Sequence, residues 1–278
     1  MILASVITYE LSKRLGKKKA AEMFHRHAGS LLVAPGEEEL PAIRVVRELK
    51  RHADVALLHD AGGTNIGHAR SRAFSVALAG DVDIWISIDD DTECSPATVR
   101  HLLSAIDRDT PQIVIVPAML RQETRCVNVT FDRTQKLDRI TSTGAHLRRA
   151  LYGGFGIVAI SNAALLEIRD AWKDTLTFKD DDGAERIGVF LEFIRDGWWF
   201  RDDYAFFDRV PPHVRIEALC SGESNHAGYH LSLEHLENEP SIPSPPVGRL
   251  GQLRKPYTAP SVIDREMTDD DRAVLLSR

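Results

Sequence analysis

The sequence predicts an α/β fold in which a mixed, mostly parallel β-sheet is flanked by helices. Short apolar runs of strand length alternate with longer segments whose apolar residues recur at helical spacing. The chain has 278 residues, of which 43% are hydrophobic, so it is long enough to build one large packed domain. Because strands that alternate with helices of these lengths form βαβ units, the alternation favours parallel strand pairing.

The predicted elements alternate from residue 30 to residue 116. Residues 30–34 (SLLVA) form an apolar run closed by Pro35 and Gly36, which is typical of a buried strand followed by a turn. Ser95 is the expected N-cap of a helix whose first residue is Pro96. The remaining strands are predicted at residues 54–58, 83–88 and 112–116, and the helices at residues 37–52, 67–79 and 96–106.

The two ends of the chain are predicted to differ from this core. Residues 1–28 are expected to form an N-terminal helical extension that lacks the features of a signal peptide. Five basic residues on this extension are compatible with peripheral contact with a membrane surface: Lys13, Arg14, Lys17, Lys18 and Lys19. Residues 29–235 are expected to form the main domain. Residues 236–278 are rich in proline and are expected to form an irregular tail with a short terminal helix.

Charge and cysteine content exclude several classes of protein. A formal net charge of −6 argues against a polycation that coats nucleic acid or anionic lipid. The three cysteines are odd in number and far apart, which fits neither a disulfide framework nor a paired zinc motif. No run reaches the roughly 18 apolar residues that a transmembrane helix needs. A cytoplasmic protein with no transmembrane segment is therefore expected.

Three consecutive acids end the apolar strand predicted at residues 83–88. Asp89, Asp90 and Asp91 would repel one another unless a positive charge lies among them, and a divalent cation is the obvious candidate. Alternation along an extended segment would turn Asp89 and Asp91 to one side and Asp90 to the other. Oxygen ligands of this kind suit Mg²⁺ or Mn²⁺. In α/β sheets ligands bind beyond the carboxyl ends of the strands, where these acids lie.

Two other carboxylate motifs fit less well. An EF-hand calcium loop needs glycine at its sixth position, where this chain has Cys94. A phosphatase of the haloacid dehalogenase type would carry Thr or Val at the position of Glu93, usually after the first strand.

The acids and four further segments resemble, in type and in their order along the chain, the nucleotide-sugar-dependent glycosyltransferases of the GT-A fold. The acids resemble the DxD motif of that family. The other segments are residues 65–72 (NIGHARSR), 153–156 (GGFG), 202–206 (DDYAF) and 225–229 (NHAGY). The resemblance covers residues 30–232, and it implies a GT-A-like, Rossmann-related catalytic domain. Ser71 and Asp202 depart from the residues that are common in the family, which bears on the subfamily.

The resemblance assigns roles to individual residues. Asp89, Asp91 and His226 are the expected ligands of Mn²⁺ or Mg²⁺. Asp203 is the expected catalytic base, with Asp202 as the alternative. Six residues, including Asp89 in a second role, are expected to bind the donor nucleotide sugar: Arg70, Asp89, Asp90, Asn65, Gly153 and Gly154.

An aromatic cluster surrounds the expected base. Trp198 and Trp199 are expected to contact the acceptor, because the apolar faces of sugar rings stack on aromatic rings. Packing in the core is the alternative role for such residues.

Together these features predict a metal-dependent glycosyltransferase of the hexosyltransferase type. It would transfer a sugar from a nucleoside-diphosphate sugar to an acceptor hydroxyl, and a carboxylate base favours inversion over retention. The acceptor is left open among a glycan, a lipid-linked glycan, a protein and a modified nucleic-acid base. Two alternatives are a metal-dependent nucleotidyltransferase and a nucleotide-sugar-binding protein without catalytic activity.

Overall fold

A computed structural model describes residues 1–8, 40–60, 65–119, 127–132, 139–226 and 229–238, together with residues 18, 22 and 24. The strands are β1 (Ile2–Ile7), β2 (Val55–Asp60), β3 (Ile84–Asp89), β4 (Thr92–Cys94), β5 (Gln112–Val116), β6 (Val129–Phe131), β7 (Arg139–Ile140), β8 (His146–Gly153), β9 (Ile157–Ser161), β10 (Thr177–Lys179), β11 (Glu185–Ile187), β12 (Phe193–Arg195), β13 (Trp198–Phe200), β14 (Arg215–Leu219), β15 (Glu223–His226) and β16 (Tyr229–Ser232). The helices are α1 (Pro41–His52), α2 (Ile66–Ala79), α3 (Pro96–Ala105), α4 (Asn162–Trp172) and α5 (Asp202–Arg209), and a 3₁₀ helix spans Leu233–Asn238.

The central feature of the fold is a nine-stranded sheet with the order β2-β1-β3-β9-β5-β14-β8-β6, in which β7 also pairs with β8. β1, β2, β3, β5, β6, β7 and β14 run in one direction, and β8 and β9 run in the opposite direction. Helices cover both faces of the sheet. This architecture confirms the predicted α/β class with a mostly parallel sheet, and it agrees with a Rossmann-related arrangement.

Each face of the sheet has its own apolar core. On one face, Ile43 of α1 and Leu102 of α3 pack against the sheet in one buried cluster. On the other face, Phe74 of α2, Leu165 of α4 and Phe206 of α5 belong to a second buried cluster. Burial on both faces explains why β5 and β9, at the centre of the sheet, are almost entirely apolar.

The expectation of a helical extension over residues 1–28 is wrong at its start. Residues Ile2–Ile7 form β1, which lies between β2 and β3 and is buried throughout. The run ILASVI is apolar on both faces, as a strand buried between two helical layers must be. Residues 18, 22 and 24 are helical. The strand predicted at residues 30–34 and most of the basic N-terminal residues lie outside the described residues.

Most other predicted elements are confirmed with small shifts of their ends. β5 spans the predicted residues, and β2 and β3 end one or two residues later than predicted. Ser95 caps α3 by accepting a hydrogen bond from the backbone N–H of Thr98 at 3.2 Å, and Pro96 is its first residue. The proline-rich tail beyond residue 238, with its predicted terminal helix, lies outside the described residues, and the division into domains stays a prediction.

The sheet brings several segments to one edge. β1, β2 and β3 are parallel and in register, so Ile7, Asp60 and Asp89 lie level at their carboxyl ends. β9 runs antiparallel to β3 and therefore begins at this edge, where the backbone N–H of Asp89 donates to the carbonyl of Gly156 at 2.8 Å. Within the described ranges, no helix is long and apolar enough to cross a membrane.

Candidate functional site

Arg70 is the centre of a cluster of carboxylates at this edge of the sheet. Its Nη2 donates to both carboxylate oxygens of Asp89, at 2.8 and 2.9 Å. Its Nη1 donates to Asp202 and to Asp203. The guanidinium also lies 5.1 Å from the ring centre of Phe155. Residues that lie 19, 132 and 133 positions away along the chain thus contact one side chain.

Local structure explains why Arg70 reaches this position. Asn65 caps α2 by accepting a hydrogen bond from the backbone N–H of His68 at 3.0 Å, which starts the helix that carries Arg70. Gly67, in the first turn of this helix, faces the start of α5. A Cβ at this position would lie only 2.4 Å from the carbonyl oxygen of Phe190 and 3.2 Å from the Cβ of Asp202. α2 can therefore approach the start of α5 closely enough for the ion pairs to form.

The two acids of α5 lie in its first turn. The residue before them, Arg201, makes no capping hydrogen bond with its side chain. Asp202 and Asp203 instead contact Arg70, and the backbone N–H of Phe155 donates to Asp203. The side chain of Asp203 is 31% exposed and that of Asp202 is 9% exposed. Asp203 is thus the acid of this pair that a ligand can reach.

Burial and crowding shift the pKa values in the cluster. Burial, together with the like charges of Asp202 and Asp89, raises the pKa of Asp203 to about 8, although Arg70 opposes this change. Burial also raises the pKa of Asp89 against the influence of Arg70. Burial would lower the pKa of Arg70, but the three carboxylates raise it above its ordinary value. Three ionised carboxylates and one guanidinium would leave a formal charge of −2, so the cluster attracts a proton or a cation.

The expected alternation of the three acids is wrong, because the chain does not stay extended after Asp89. Asp90 and Asp91 form a turn that leads into β4, and β4 belongs to a different, three-stranded sheet with β15 and β16. Asp90 is 5% exposed. The positive charge next to Asp89 is that of Arg70. Asp91 lies on the other side of the turn, beside β15.

Asp91 and His226 form a pair that suits a divalent cation. The Nε2 of His226 lies 3.5 Å from Oδ1 of Asp91. The Nδ1 of the same ring lies 2.7 Å from the carbonyl oxygen of Met119, which can only accept, so Nδ1 carries the proton. Nε2 is then the ring nitrogen that faces Asp91, and the hydrogen bond at Nδ1 fixes the orientation of the ring, as it does for histidines that bind metals. In the part of the chain that the structure describes, no group of three or more His, Cys, Asp and Glu side chains is placed to hold a metal ion.

Close packing explains why positions 153 and 154 are occupied by glycine. A Cβ on Gly153 would lie 2.6 Å from Cδ1 of Ile115, and one on Gly154 would lie 2.5 Å from Nδ2 of Asn128. Because glycine has no Cβ, the backbone of this segment lies close to Ile115 of β5 and to Asn128, and the next residue, Phe155, lies with its ring centre 5.1 Å from the guanidinium of Arg70. The predicted donor-binding roles of Asn65, Asp90 and the two glycines stay predictions.

Trp198 and Trp199 lie on a two-stranded ribbon formed by β12 and β13, directly before α5. They are 50% and 62% exposed. The alternative role as core residues therefore does not apply to them.

Three polar residues that the sequence analysis did not single out lie at the same edge. Oγ1 of Thr8, just after β1, lies 3.0 Å from Nε2 of His59. Asp60 ends β2 and pairs with Arg72 of α2 at 2.6 Å. Thr8 follows the buried strand β1 and Asp60 ends the half-buried strand β2, and the end of an apolar strand is the signal that identified Asp89. That signal was missed because β1 was not predicted and β2 was predicted to end at residue 58.

No protein-family model matches the chain, and no curated protein matches it. Protein A197 from STIV is similar in structure, with a TM-score of 0.41 and 15% identity over 81% of this chain and 84% of that chain. GalNAc-T7, solved with UDP, GalNAc and Mn²⁺, has a TM-score of 0.40 and 10% identity over 81% of this chain and 43% of that chain. A mannose-1-phosphate geranyltransferase from Thermus thermophilus has a TM-score of 0.35 and 10% identity over 83% of this chain and 75% of that chain. These similarities concern the path of the backbone and assign no activity to this chain.

Proposed function

We propose that the protein is a metal-dependent glycosyltransferase that transfers a sugar, with inversion, from a nucleoside-diphosphate sugar to an acceptor hydroxyl. One observation carries the proposal. Residues from each of the five segments that resemble the GT-A glycosyltransferases lie at one edge of the sheet: Arg70 contacts Asp89, Asp203 and the ring of Phe155, and Asp91 lies next to His226. This is the edge at which open α/β sheets bind their ligands.

Asp91 and His226 are the residues proposed to hold Mn²⁺ or Mg²⁺, and the role of Asp89 as a third ligand stays a prediction. A site with two protein ligands is sufficient here, because such ions usually keep several ligands from substrate phosphates and water. When bound, the cation supplies positive charge that stabilises the diphosphate leaving group. The imidazole nitrogen of His226 favours Mn²⁺ over Mg²⁺.

Arg70 is proposed to position the carboxylates of Asp89 and Asp203. Its side chain is only 3% exposed and is bound by three acids, so it orients them more readily than it contacts a ligand. Its predicted role in binding phosphate stays a prediction.

Asp203 is proposed as the catalytic base. The acceptor hydroxyl attacks the anomeric carbon and gives its proton to a carboxylate oxygen of Asp203, while the bond from that carbon to the diphosphate oxygen breaks. A raised pKa makes the ionised form of Asp203 a stronger base than an ordinary aspartate. Asp202 is the weaker candidate because it is more deeply buried.

The test compares Asp203→Asn and Asp202→Asn for donor binding and for transfer. We expect Asp203→Asn to bind the donor with unchanged affinity and to lose transfer by roughly 100-fold or more, the usual contribution of a general base. Asp202→Asn should lose less. Full turnover by Asp203→Asn would show that the inverting assignment is wrong. Release of pyrophosphate instead of a nucleoside diphosphate would favour the nucleotidyltransferase, and donor binding without turnover would favour the inactive binding protein.

A further inference from the structure

We propose that Thr92 is a positioning residue for the candidate cation site, through a hydrogen bond from its buried hydroxyl to Asp91. This inference rests on the proposed function, because it concerns a residue proposed to hold the cation. The resemblance to the glycosyltransferases gives Thr92 no role. Three observations support the role: the hydrogen bond itself, the pairing of Thr92 with His226 and the packing of Thr92 against Gly156.

The hydroxyl of Thr92 is buried and bonded to an acid. Thr92 is 1% exposed, and its Oγ1 donates to Oδ1 of Asp91 at 3.3 Å. The same oxygen of Asp91 faces Nε2 of His226 at 3.5 Å. Valine has nearly the same shape as threonine and favours buried strands, so packing alone does not require a hydroxyl here. The bond holds the carboxylate oxygen that faces His226.

Strand pairing places Thr92 beside His226. Thr92 of β4 and His226 of β15 lie directly opposite each other in an antiparallel pair, so their side chains point to the same side of the three-stranded sheet. The next pair, Glu93 and Asn225, points to the other side. There the amide of Asn225 donates to Glu93 at 3.2 Å, and Arg44 of α1 donates to Glu93 at 2.9 Å. These bonds hold β4 against β15 and α1, which keeps Thr92 and His226 opposite each other.

Gly156 provides the space for the side chain of Thr92. A Cβ on Gly156 would lie 3.1 Å from Oγ1 and 3.3 Å from Cγ2 of Thr92, closer than Cβ atoms usually approach other atoms. The carbonyl of Gly156 also accepts the hydrogen bond from the backbone N–H of Asp89 at 2.8 Å. Thr92 therefore lies where three of the segments that resemble the glycosyltransferases meet: the acids, residues 153–156 and residues 225–229.

A hydrogen bond to a carboxylate ligand fixes the orientation of that ligand before a cation binds. Without the hydroxyl of Thr92, the carboxylate of Asp91 would turn more freely about its terminal bond, and the loss of this freedom on binding would weaken the affinity. Hydrogen-bond partners of metal ligands typically contribute roughly 10- to 100-fold to metal affinity. Because its own hydroxyl is buried, Thr92 acts through Asp91.

The test measures affinity for Mn²⁺ and needs no turnover. Mn²⁺ is titrated into the full chain, alone and with each of UDP, GDP, CDP and dTDP, and free Mn²⁺ is followed by electron paramagnetic resonance. The variants are Thr92→Val, which removes the hydroxyl, Thr92→Ser, which keeps it, and Asp91→Ala. Thr130→Val is the matched control. Thr130 lies in β6 at the far edge of the large sheet and is 5% exposed, and its hydroxyl has no hydrogen-bond partner among the described residues.

We expect Thr92→Val to weaken Mn²⁺ binding roughly 10- to 100-fold. Thr92→Ser should recover most of the affinity, because its hydroxyl can donate to the same oxygen. Asp91→Ala should bind Mn²⁺ more weakly than Thr92→Val, since it removes a ligand and not the partner of a ligand. Thr130→Val should bind Mn²⁺ as the wild type does.

Thermal unfolding in a chelating buffer checks that each variant folds. A purely structural role would lower the melting temperature of Thr92→Val and leave the Mn²⁺ affinity of the folded protein unchanged. Gly156→Ala is a second variant that keeps Thr92 in place. Its Cβ would press on Oγ1 of Thr92, so it should also weaken Mn²⁺ binding, and it decides the question if Thr92→Val does not fold.

The role of Thr92 is refuted if Thr92→Val binds Mn²⁺ as tightly as wild type, or if Thr130→Val weakens binding as much as Thr92→Val does. Failure of the proposed function gives a different result. If the wild type binds no Mn²⁺ with or without a nucleotide, the cation site and the role of Thr92 both fail. If the wild type binds Mn²⁺, Asp91→Ala does not and Thr92→Val matches the wild type, only the role of Thr92 fails.

Discussion

Replacing Asp203 by asparagine should make the metal-free protein more stable. Asp203 shares Arg70 with Asp89 and Asp202, so three like charges crowd one guanidinium. The asparagine side chain has nearly the same shape and could still accept a hydrogen bond from Arg70, but the substitution would remove one negative charge. Charge crowding of this kind is a common cost of sites built for function.

The magnitude follows from the pKa of Asp203, which is about 8 in the folded protein against an ordinary value of 3.8. The folded state therefore binds a proton at Asp203 more tightly than the unfolded state does. The contribution of this proton to the free energy of unfolding is fully present below pH 3.8 and is lost as the pH rises toward 8. A pKa difference of one unit is worth about 1.4 kcal/mol, so the difference of about 4 units sets an upper limit of about 6 kcal/mol. Solvent screens a side chain that is 31% exposed, so we expect about 1 to 2 kcal/mol.

The assay is thermal and urea unfolding of wild type and Asp203→Asn in a chelating buffer between pH 4 and pH 8. Asp203→Asn should unfold roughly 3 to 6 °C higher at pH 8 and at the same temperature as wild type at pH 4. Asp208→Asn is the matched control, since Asp208 lies on the same helix but pairs with Arg195 at 2.5 Å. It should destabilise the protein at pH 8. Equal or lower stability of Asp203→Asn at pH 8 would refute the reasoning.

Two further predictions concern the elements around the site. Gly67→Ala should cost about 1 to 3 kcal/mol of stability and reduce transfer, because its Cβ would lie 2.4 Å from the carbonyl oxygen of Phe190. Gly80→Ala, whose nearest contacts are 3.4 Å, is the control in urea unfolding, and equal losses in the two variants would contradict the packing argument. Asp180→Asn should lose about 1 to 3 kcal/mol at pH 7, since the backbone N–H of Asp181 holds the pKa of Asp180 below its ordinary value although burial opposes it. That stability is present above pH 3.8 and is lost as the pH falls through the lowered pKa, so the difference in stability between the two proteins should shrink below pH 3.8, and a constant difference would contradict the argument.

Much of the first half of the fold could be predicted from the sequence, because its signals are local. The apolar run before Asp89 and the capping residue Ser95 both act within one turn or one strand of their own position. β1 was missed because its status depends on pairing with strands that lie about 50 and 80 residues away. A short apolar start looks the same in a helix and in a buried strand until that pairing is known.

The candidate site was predicted as a set of residues but not as an arrangement. The acids and Arg70 were identified from their types and order, yet the ion pair of Arg70 with Asp203 joins residues 133 positions apart, which spacing along the chain does not encode. The turn at Asp90 and Asp91 was also missed, because it depends on β4 joining the sheet of β15. Both the ion pair and the turn therefore depend on contacts between residues that lie far apart in the sequence.

The central claim is that the edge with Asp91 and His226 binds a nucleoside-diphosphate sugar together with a divalent cation. The most direct test is a thermal-shift panel of UDP-, GDP-, CDP- and dTDP-sugars, with and without Mn²⁺, on wild type, Asp91→Ala and the exposed control Asp170→Ala. One nucleotide class should raise the melting temperature only with Mn²⁺, by an amount equivalent to about 2.7 kcal/mol at a hundredfold excess over its Kd. The rise should vanish in Asp91→Ala and persist in Asp170→Ala. No rise with any donor, or a rise that survives in Asp91→Ala, would contradict the claim.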